Sequence, residues 1–427
     1  MSEKQIIAGL DVGTTKIRLV VGTPDTQGLR ILGSSEVESE GVVEGNITNI
    51  GKVAAGIKKI VQEVSEAIQE PIRAVNTSIT GRHVKSSIHR GSITRDTNEE
   101  EISPKDTTRI TEDMYRIVVN PTSKVIHVIP QIYFIDGQEG ITDPVGIPGI
   151  RLEGNFQVIT AQSSAIDNIE KTLKRAGLVI DKLIVSSLAS SMAVLTPEEQ
   201  EAGVCLVDIG GGTVDIAIFH DNILRYTTSI PFAGNAVTED IQQGCMIMRP
   251  QAETLKQKFG KAIEEGKQDA NTLIAIPGLR NRPDKEIYLP VLSRIIEARM
   301  EEIIQTVHSE IIASGFHNKL AGGMVITGEG VRLQLIENLF TYITSYDTRI
   351  GYPIEPLIEK EENLTQIGYA SAIGLVVAGY KALDCREEKY RNQYNFVPQE
   401  TKKLSSIQRF FITAKRLILG GGEEEKK

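Results

Sequence analysis

Residues 6–22 read IIAGLDVGTTKIRLVVG, and residues 203–220 read GVCLVDIGGGTVDIAIFH. Each stretch has a short apolar run that ends in Asp, then a Gly-rich bend, then a second apolar run. Each therefore predicts two strands joined by a tight turn. The second stretch is an internal repeat of the first. Such a duplication predicts an α/β chain with two lobes related by pseudo-symmetry and a cleft between them.

The two bends have the composition of phosphate-binding turns. Glycine lets backbone N–H groups close on an anion because no Cβ stands in the way, and hydroxyls and a lysine add donors. Asp11 and Asp208 are predicted to hold a hydrated Mg²⁺, which prefers carboxylates, water and phosphate oxygens. Either bend alone could merely close a hairpin. Because the two bends occupy equivalent places in a repeated unit, the pair favours phosphate binding. The predicted phosphate-binding residues are Gly13, Thr14, Thr15, Lys16, Gly210, Gly211, Gly212 and Thr213.

The composition argues against several other classes of protein. The length of 427 residues suggests about two to four domains. A formal net charge of −9 argues against nucleic-acid binding, which needs clustered Lys and Arg. Three distant cysteines, and six histidines without metal-ligand spacing, argue against a disulfide framework and a zinc site. The first residues lack the layout of a signal peptide, and no apolar run reaches the roughly 20 residues of a transmembrane helix, so a cytoplasmic protein is expected.

The rest of the chain predicts several helices and one segment of different composition. Residues 49–69 have apolar side chains three and four positions apart and predict a helix. Residues 84–160 combine short alternating runs with polar and Gly/Pro-rich stretches, which predicts a small inserted α+β subdomain. Further helices are predicted over 235–265, 288–314 and 362–383.

The C-terminal segment has a separate amphipathic pattern. Residues 384–404 are polar without periodicity and are predicted to be a linker. Residues 405–419 give about 22 Å of helix, too short to span a ~30 Å bilayer core. Periodicity alone favours docking on a protein surface, but the position after a polar linker favours an interfacial membrane helix on an anionic leaflet. Its predicted membrane-contacting residues are Ile407, Phe410, Phe411, Leu417 and Ile418, with Arg409, Lys415 and Arg416 on the basic flank.

These motifs resemble those of the actin/Hsp70/sugar-kinase ATPase superfamily, whose two phosphate motifs are similar to the two bends. The stretches that resemble its connecting and adenosine motifs are LASSMAVL (188–195), GMVITGEG (323–330) and QIGYASAIG (366–374). Within the superfamily the chain resembles the FtsA family of bacterial cell-division proteins. The matching stretches include SEGVVEGNITNIG (39–51), VIPQIYFIDGQEGITDPVGIPGIRLEG (128–154) and PQAETLKQKFG (250–260).

The resemblance implies an actin-like (ribonuclease H-like) two-lobed ATPase fold that binds ATP and Mg²⁺ between its lobes. The implied subdomains are 1A (1–83 and 161–202), 1C (84–160), 2A (203–234 and 315–383) and 2B (235–314), followed by the linker and the amphipathic helix. The implied adenosine and ribose contacts are Glu253, Lys256, Gly328 and Gly330. Arg299 is a candidate for pairing with the C-terminal peptide of FtsZ. For the segment with Glu253 and Lys256, and also for the segment with Arg299, the alternative explanation is a helix with a solvated charged face.

Two departures from the superfamily pattern bear on activity. Many members have a Glu in the connecting helix that helps to position water or metal, whereas here Ser186 and Ser187 precede Leu188. A hydroxyl cannot replace that carboxylate, and general acid–base help is worth about 10²–10⁴-fold, so at most slow ATP hydrolysis is expected. The second departure is Glu329, where the family usually has Gly; its charge near the adenosine edge argues against an adenine contact there.

By this resemblance the chain is expected to be a scaffold and adaptor. Subunits would polymerise at the cytoplasmic face of the cell membrane, and subdomain 2B would recruit FtsZ and other division proteins to the Z ring at the septum. Two alternatives remain. A sugar kinase would use the same cleft, but the sequence offers no convincing catalytic Asp or substrate pocket. A PilM-like adaptor for pilus assembly would share the architecture but would normally lack the C-terminal helix.

Overall fold

The two repeated stretches form matching hairpins, each in the middle of a five-stranded sheet. The structure is a computed structural model that describes residues 6–25, 28–95, 101–117, 119–264, 272–278, 283–354 and 367–393, without the side chains of residue 139 and residues 382–393. The predicted membrane helix, 405–419, lies outside the described residues, as does the part of the linker after Gln393.

The strands and helices follow one another in an α/β order. The strands are β1 (Ile7–Val12), β2 (Lys16–Asp25), β3 (Gly28–Glu38), β4 (Val42–Val43), β5 (Asn46–Ile47), β6 (Ala74–Ile79), β7 (Val84–Thr94), β8 (Ser123–Ile135), β9 (Gln138–Ile141), β10 (Arg151–Gln162), β11 (Val179–Val185), β12 (Val204–Ile209), β13 (Val214–His220), β14 (Ile223–Ile230), β15 (Leu273–Ile276), β16 (Lys285–Tyr288), β17 (Met324–Thr327) and β18 (Thr348–Ile350). The helices are α1 (Ile50–Ile68), α2 (Pro104–Tyr115), α3 (Ser163–Ala176), α4 (Ser186–Val194), α5 (Pro197–Ala202), α6 (Gly234–Cys245), α7 (Arg249–Phe259), α8 (Leu289–Ala313), α9 (Ile336–Thr344) and α10 (Ala370–Gln393).

The first lobe has a sheet in the order β11-β6-β1-β2-β3. Helix α1, which lies within the predicted 49–69, packs against β3 and α3. The side chain of Asn49 caps its start by accepting a 3.1 Å hydrogen bond from the backbone N–H of Lys52. The apolar stripe of α1, including Val53, Ile57 and Ile60, is fully buried, which holds the helix on the sheet.

The second lobe repeats this plan with a sheet in the order β14-β13-β12-β17-β18. One face of this sheet packs against α6, α8 and α9. The apolar core between them is separate from the core of the first lobe and includes Ile216, Ile241, Ile303 and Phe340. Helices α6, α7 and α8 and the β15–β16 hairpin occupy the chain segment predicted as subdomain 2B.

Helices α4 and α10 lie against one another between the two sheets. The buried face of α10, from Ala370 to Ala378, packs on β1, β2 and β6 in the core of the first lobe. The assignment of 315–383 to subdomain 2A is therefore wrong for this helix, because an apolar run does not itself indicate which sheet will cover it. The helix also continues to Gln393, ten residues into the predicted linker.

The inserted segment forms a separate sheet in the order β7-β10-β8-β9, covered on one face by α2. Its small core includes Met114, Tyr133 and Phe156. Although inserted in the first lobe, it also contacts the second: the Gln131 side chain donates to the carbonyl of Leu224 at 2.9 Å. In return the guanidinium of Arg225 donates to the carbonyl of Gln131 at 3.1 Å.

Among the described residues, no helix combines the length and the apolar character needed to cross a bilayer.

Candidate functional site

The two predicted phosphate turns face each other across one cavity between the lobes. The first turn joins β1 to β2, and the second joins β12 to β13. Each is closed in the same way: Gly13 N donates to Lys16 O at 3.0 Å, and Gly210 N donates to Thr213 O at 2.9 Å. The predicted residues of both turns all line this cavity, so the structure brings the eight together.

The tips of the two turns are in contact. A Cβ on Gly211 would lie 2.3 Å from Cγ2 of Thr15, and a Cβ on Gly212 would lie 2.5 Å from Oγ1 of Thr14. A Cβ at either position would force the opposing threonine side chain to move, because real Cβ contacts are essentially never so short. Within the described residues, the backbone N–H groups of these four residues donate to no other protein group, so they are available to an anion.

Three carboxylates lie behind the turns and line the same cavity. Asp11 is the penultimate residue of β1, while Asp208 and Asp215 are directly opposed on β12 and β13. Hydroxyl groups of the surrounding elements donate to all three: Ser78 and Ser371 to Asp11 at 2.7 and 3.1 Å, Ser190 to Asp208 at 2.5 Å, and Thr80 and Thr213 to Asp215.

Burial raises the pKa of the two carboxylates in the second lobe. It raises the pKa of Asp208 to about 7, and the charges of Asp215 and Asp11 act in the same direction, against the Ser190 hydrogen bond and the charge of Arg18. Burial, with a further contribution from Asp11, raises the pKa of Asp215 to about 6. Close carboxylates with raised pKa values are the surroundings that a divalent cation would stabilise, because its charge favours their ionised form.

The chemistry of this set fits Mg²⁺ bound mainly through water. No group of three or more His, Cys, Asp or Glu residues in the described part of the chain is arranged to hold a metal directly. Mg²⁺ commonly keeps several waters and takes one or two carboxylates plus phosphate oxygens. Asp11 and Asp208 both line the cavity together with the two turns, and their binding of Mg²⁺ stays a prediction.

The two serines at the start of α4 have different surroundings. Ser186 lines the cavity, whereas the hydroxyl of Ser187 is buried 2.7 Å from that of Thr227 on β14. Only Ser186 therefore occupies a position from which a side chain would reach a ligand. Neither residue supplies a carboxylate to the cavity.

The predicted adenosine residues are only partly brought together. Gly328 lines the cavity with φ +87°, and a Cβ there would lie 2.4 Å from Oδ1 of Asp208. Gly330 packs against Ile209 and does not line the cavity. Glu253 and Lys256 also lie outside its lining; the Lys256 ammonium bonds to Glu253, Thr238 and the carbonyl of Gly234. A contact between these three residues and a nucleotide stays a prediction.

Glu329 turns across the cleft towards the first lobe. It lies at the start of a short 3-10 helix (Glu329–Arg332) and accepts a short hydrogen bond from the guanidinium of Arg18 on β2. Lys16, predicted as a phosphate ligand, is itself paired with Glu36 at 2.5 Å. The cations near the first turn therefore already have carboxylate partners.

Arg299 also has acidic partners. Its guanidinium forms a two-pronged pair with Asp240 on α6, at 2.5 and 3.0 Å, and a further pair with Glu302. An acidic peptide would have to displace these partners, so direct pairing stays a prediction. The predicted membrane residues, 407–418, lie outside the described residues.

Several residues of the site were not predicted from the sequence. Asp215 was visible in the repeated motif, and the pairing register of a hairpin closed by the Gly-rich turn places it opposite Asp208. The same pairing would have placed Arg18 opposite Asp11 on the first hairpin. Ser190 and Thr80 carried no such signal, because an isolated hydroxyl residue in a helix or at a strand end is common.

Comparison with known protein families identifies the two parts of the chain separately. The family model described as "Cell division protein FtsA" matches residues 205–374. The model described as "SHS2 domain inserted in FTSA" matches residues 81–160, which contain most of the inserted sheet.

Curated relatives extend the match over most of the chain. Cell division protein FtsA of Borreliella burgdorferi is 34% identical over 410 residues, covering 96% of this chain and 98% of that protein. Cell division protein FtsA of Escherichia coli K12 is 31% identical over 388 residues, covering 88% and 91%.

Solved structures confirm the actin-like fold. The PilM–PilN type IV pilus biogenesis complex aligns with a TM-score of 0.63 at 16% identity, over 88% of this chain and 98% of that one. MreB5 of Spiroplasma citri bound to ADP aligns with a TM-score of 0.52 at 14% identity, over 92% and 99%.

Proposed function

Because this chain belongs to the FtsA family of cell-division proteins, we propose that it binds Mg·ATP between its lobes and polymerises at the membrane, where it anchors FtsZ. The observation that carries the proposal is the pair of glycine turns in contact around three carboxylates. A scaffold role agrees with family membership better than either alternative does. The likeness to the pilus protein is at 16% identity and concerns the fold alone.

The paired turns support a polyphosphate clamp. Thr14, Thr15, Gly211 and Gly212 line one cavity from two lobes, and their backbone N–H groups are not used within the described residues, so a phosphate chain between them would receive donors from both sides. Because the tips of the two turns are in contact, any change in their separation would also change the orientation of the lobes. Nucleotide binding is therefore coupled to the relative orientation of the lobes, and selects one orientation from those the protein samples.

Mg²⁺ would be held by Asp11 and Asp208, mostly through water. When bound, the ion would neutralise phosphate charge and the charge of the buried carboxylates. The residues of the chain itself do the positioning: Ser78 and Ser371 hold Asp11, and Ser190 holds Asp208.

Hydrolysis would be slow, so nucleotide would act mainly as a structural ligand. Ser186 lies in the cavity where superfamily members use a carboxylate, and a hydroxyl is too weak a base to activate water at neutral pH. The protein would then function through assembly rather than through turnover.

The membrane anchor would be the 405–419 segment, and subdomain 2B would receive the FtsZ peptide, with Arg299 as a candidate contact. A single short interfacial helix binds lipid weakly, but many tails on one filament gain avidity. The protein would thus lie on the cytoplasmic face of the cell membrane at the septum, with further division proteins as partners.

Two measurements test the proposal. Calorimetric titration of the full chain should detect Mg·ATP binding; a folded protein that binds none would refute the clamp. The wild-type protein should sediment with anionic liposomes, whereas the double variant with Phe410→Glu and Phe411→Glu should stay in the supernatant. The charge-matched control, Asn395→Glu with Gln399→Glu in the linker, should still sediment. If the Phe410/Phe411 variant sediments as well as the control, the anchor assignment is wrong.

A further inference from the structure

A network of four charged side chains spans the cleft beside the first phosphate turn. Two cations come from β2: Lys16, whose ammonium is 2.5 Å from Glu36, and Arg18, whose Nε is 2.9 Å from the same carboxylate. The fourth member is Glu329 of the second lobe, which is bonded to Arg18 Nη2 and lies 3.6 Å from Lys16 Nζ.

Arg18 is the most buried member of this network. Its side chain is only 7% exposed, and its guanidinium lies 5.1 Å from the centre of the Tyr369 ring. Gly368 makes the close approach possible, because a Cβ there would lie 2.8 Å from both Arg18 Nη2 and Glu329 Oε1. Burial costs the guanidinium part of its hydration, but it also reduces the screening by water of its attraction to the two carboxylates.

The Glu329 carboxylate thus has two different neighbours in the first lobe. The bond to Arg18 joins β2 to the second lobe and resists separation of the lobes at this edge. The contact with Lys16 involves a cation of the phosphate turn itself. Arg332, on the same short helix as Glu329, is a more distant neighbour at 3.9 Å.

We propose that Glu329 is an interlobe latch that fastens the cleft through Arg18 and competes with nucleotide phosphates for Lys16. The competition with phosphates for Lys16 rests on the nucleotide binding proposed above. The fastening of the lobes through Arg18 does not depend on it. An entering phosphate would draw Lys16 away from the two carboxylates, while Glu329 would stay on Arg18 and keep this edge of the cleft closed. Glu329 would therefore lower nucleotide affinity and at the same time order the lobes.

The decisive variant is Glu329→Gln, which removes the charge but keeps the size of the side chain. Arg18 retains Glu36 as a partner, so the fold should survive. The matched control is Glu301→Gln on α8, which removes the same charge from a residue that does not line the cavity. The full chain is titrated with Mg·ATP and Mg·ADP at low and at high salt.

The Glu329→Gln protein should bind both nucleotides about 3- to 10-fold more tightly at low salt, because a charge competing at about 4 Å is removed. High salt should reduce the difference. The control should bind as the wild type does. A residue with a merely structural role would lose affinity when replaced, so equal or weaker binding by Glu329→Gln would overturn the competition.

The fastening is tested without nucleotide by hydrogen exchange. In Glu329→Gln the amides of the 3-10 helix Glu329–Arg332 should exchange faster than in the wild type and the control. Unchanged exchange overturns the latch whatever the titration gives. If the wild type binds no nucleotide, the proposed function fails, and the exchange experiment alone decides whether Glu329 fastens the lobes.

Discussion

The hydroxyl of Ser190, on the helix between the two lobes, donates a 2.5 Å hydrogen bond to the buried carboxylate of Asp208. This bond joins α4 to the strand end that carries the second phosphate turn. It also lowers the pKa of Asp208 against the larger effect of burial, which leaves the pKa at about 7. Ser190 thus favours the ionised form that a cation would need.

Ser190→Ala is expected to weaken binding of Mg·ATP near neutral pH. Without this donor the pKa of Asp208 rises further, and a larger fraction of the carboxyl is protonated. The affinity should fall by about 3- to 10-fold near pH 7 and approach the wild-type value as the pH rises above the new pKa. Titration calorimetry over a pH series measures this.

Ser191→Ala provides the control on the same helix, because the Ser191 hydroxyl donates to the carbonyl of Leu188 and not to the cavity. Its affinity should match the wild type across the series. An affinity loss in Ser190→Ala that is the same at every pH would argue against an effect through Asp208.

Asp215→Asn is expected to stabilise the nucleotide-free protein at neutral and alkaline pH. The pKa of Asp215 is raised from 3.8 to about 6 in the folded state, so the unfolded state releases its proton first as the pH rises. Stability is then lost between about pH 4 and pH 6 and stays low above that range. Asparagine carries no charge and can still accept the hydrogen bond of Thr80.

The gain should be on the order of 1–2 kcal/mol above pH 6 and close to zero below pH 4. Urea denaturation at several pH values measures it, with Asp347→Asn, an exposed position of the second lobe, as the control. If the variant is less stable than the wild type at every pH, the buried charge of Asp215 does not destabilise the folded protein.

Gly211→Ala is expected to destabilise the nucleotide-free protein by about 1–3 kcal/mol, since the new methyl group overlaps Thr15. Thr15→Ala removes the Cγ2 and Oγ1 atoms that it meets. The double variant should recover most of the loss, giving a coupling energy between residues on opposite lobes. Thermal or urea denaturation of the four proteins completes the cycle. Additive effects would mean that the turns are apart in solution.

Ser186→Glu is expected to raise ATP hydrolysis by about tenfold or more, because it places a carboxylate in the cavity. The wild type should turn over ATP slowly, and many turnovers per second without a partner would contradict this. Ser187→Glu is the matched comparison: it would place a charge in the interior against Thr227, so it should lower stability without increasing hydrolysis. Phosphate release measures the rate.

The sequence was sufficient to predict the features that depend on local pattern. Two Gly-rich bends in a repeated unit predicted paired turns, and their positions at the ends of β1 and β12 follow from the apolar runs before them. Helix α1 was predicted because its stripe of buried residues is also a spacing in the sequence.

Features that depend on distant contacts were not predictable. Arg18 and Glu329 are 311 positions apart, and nothing in either local stretch indicates the other. The apolar run of α10 fits a core in either lobe, and only its packing on β1 assigns it to the first. Likewise, the small residues of α4 gave no sign that Ser190 would point at Asp208 while Ser187 would not.

The hydrogen bonds between Gln131 and the Leu224–Arg225 segment have a mechanical consequence. The inserted sheet is covalently tethered to one lobe through both of its ends and is pinned to the other by these bonds. If the lobes rotate relative to each other, this sheet must either tilt or break its hydrogen bonds at Gln131. A rotation of the lobes would in this way be transmitted to the inserted sheet.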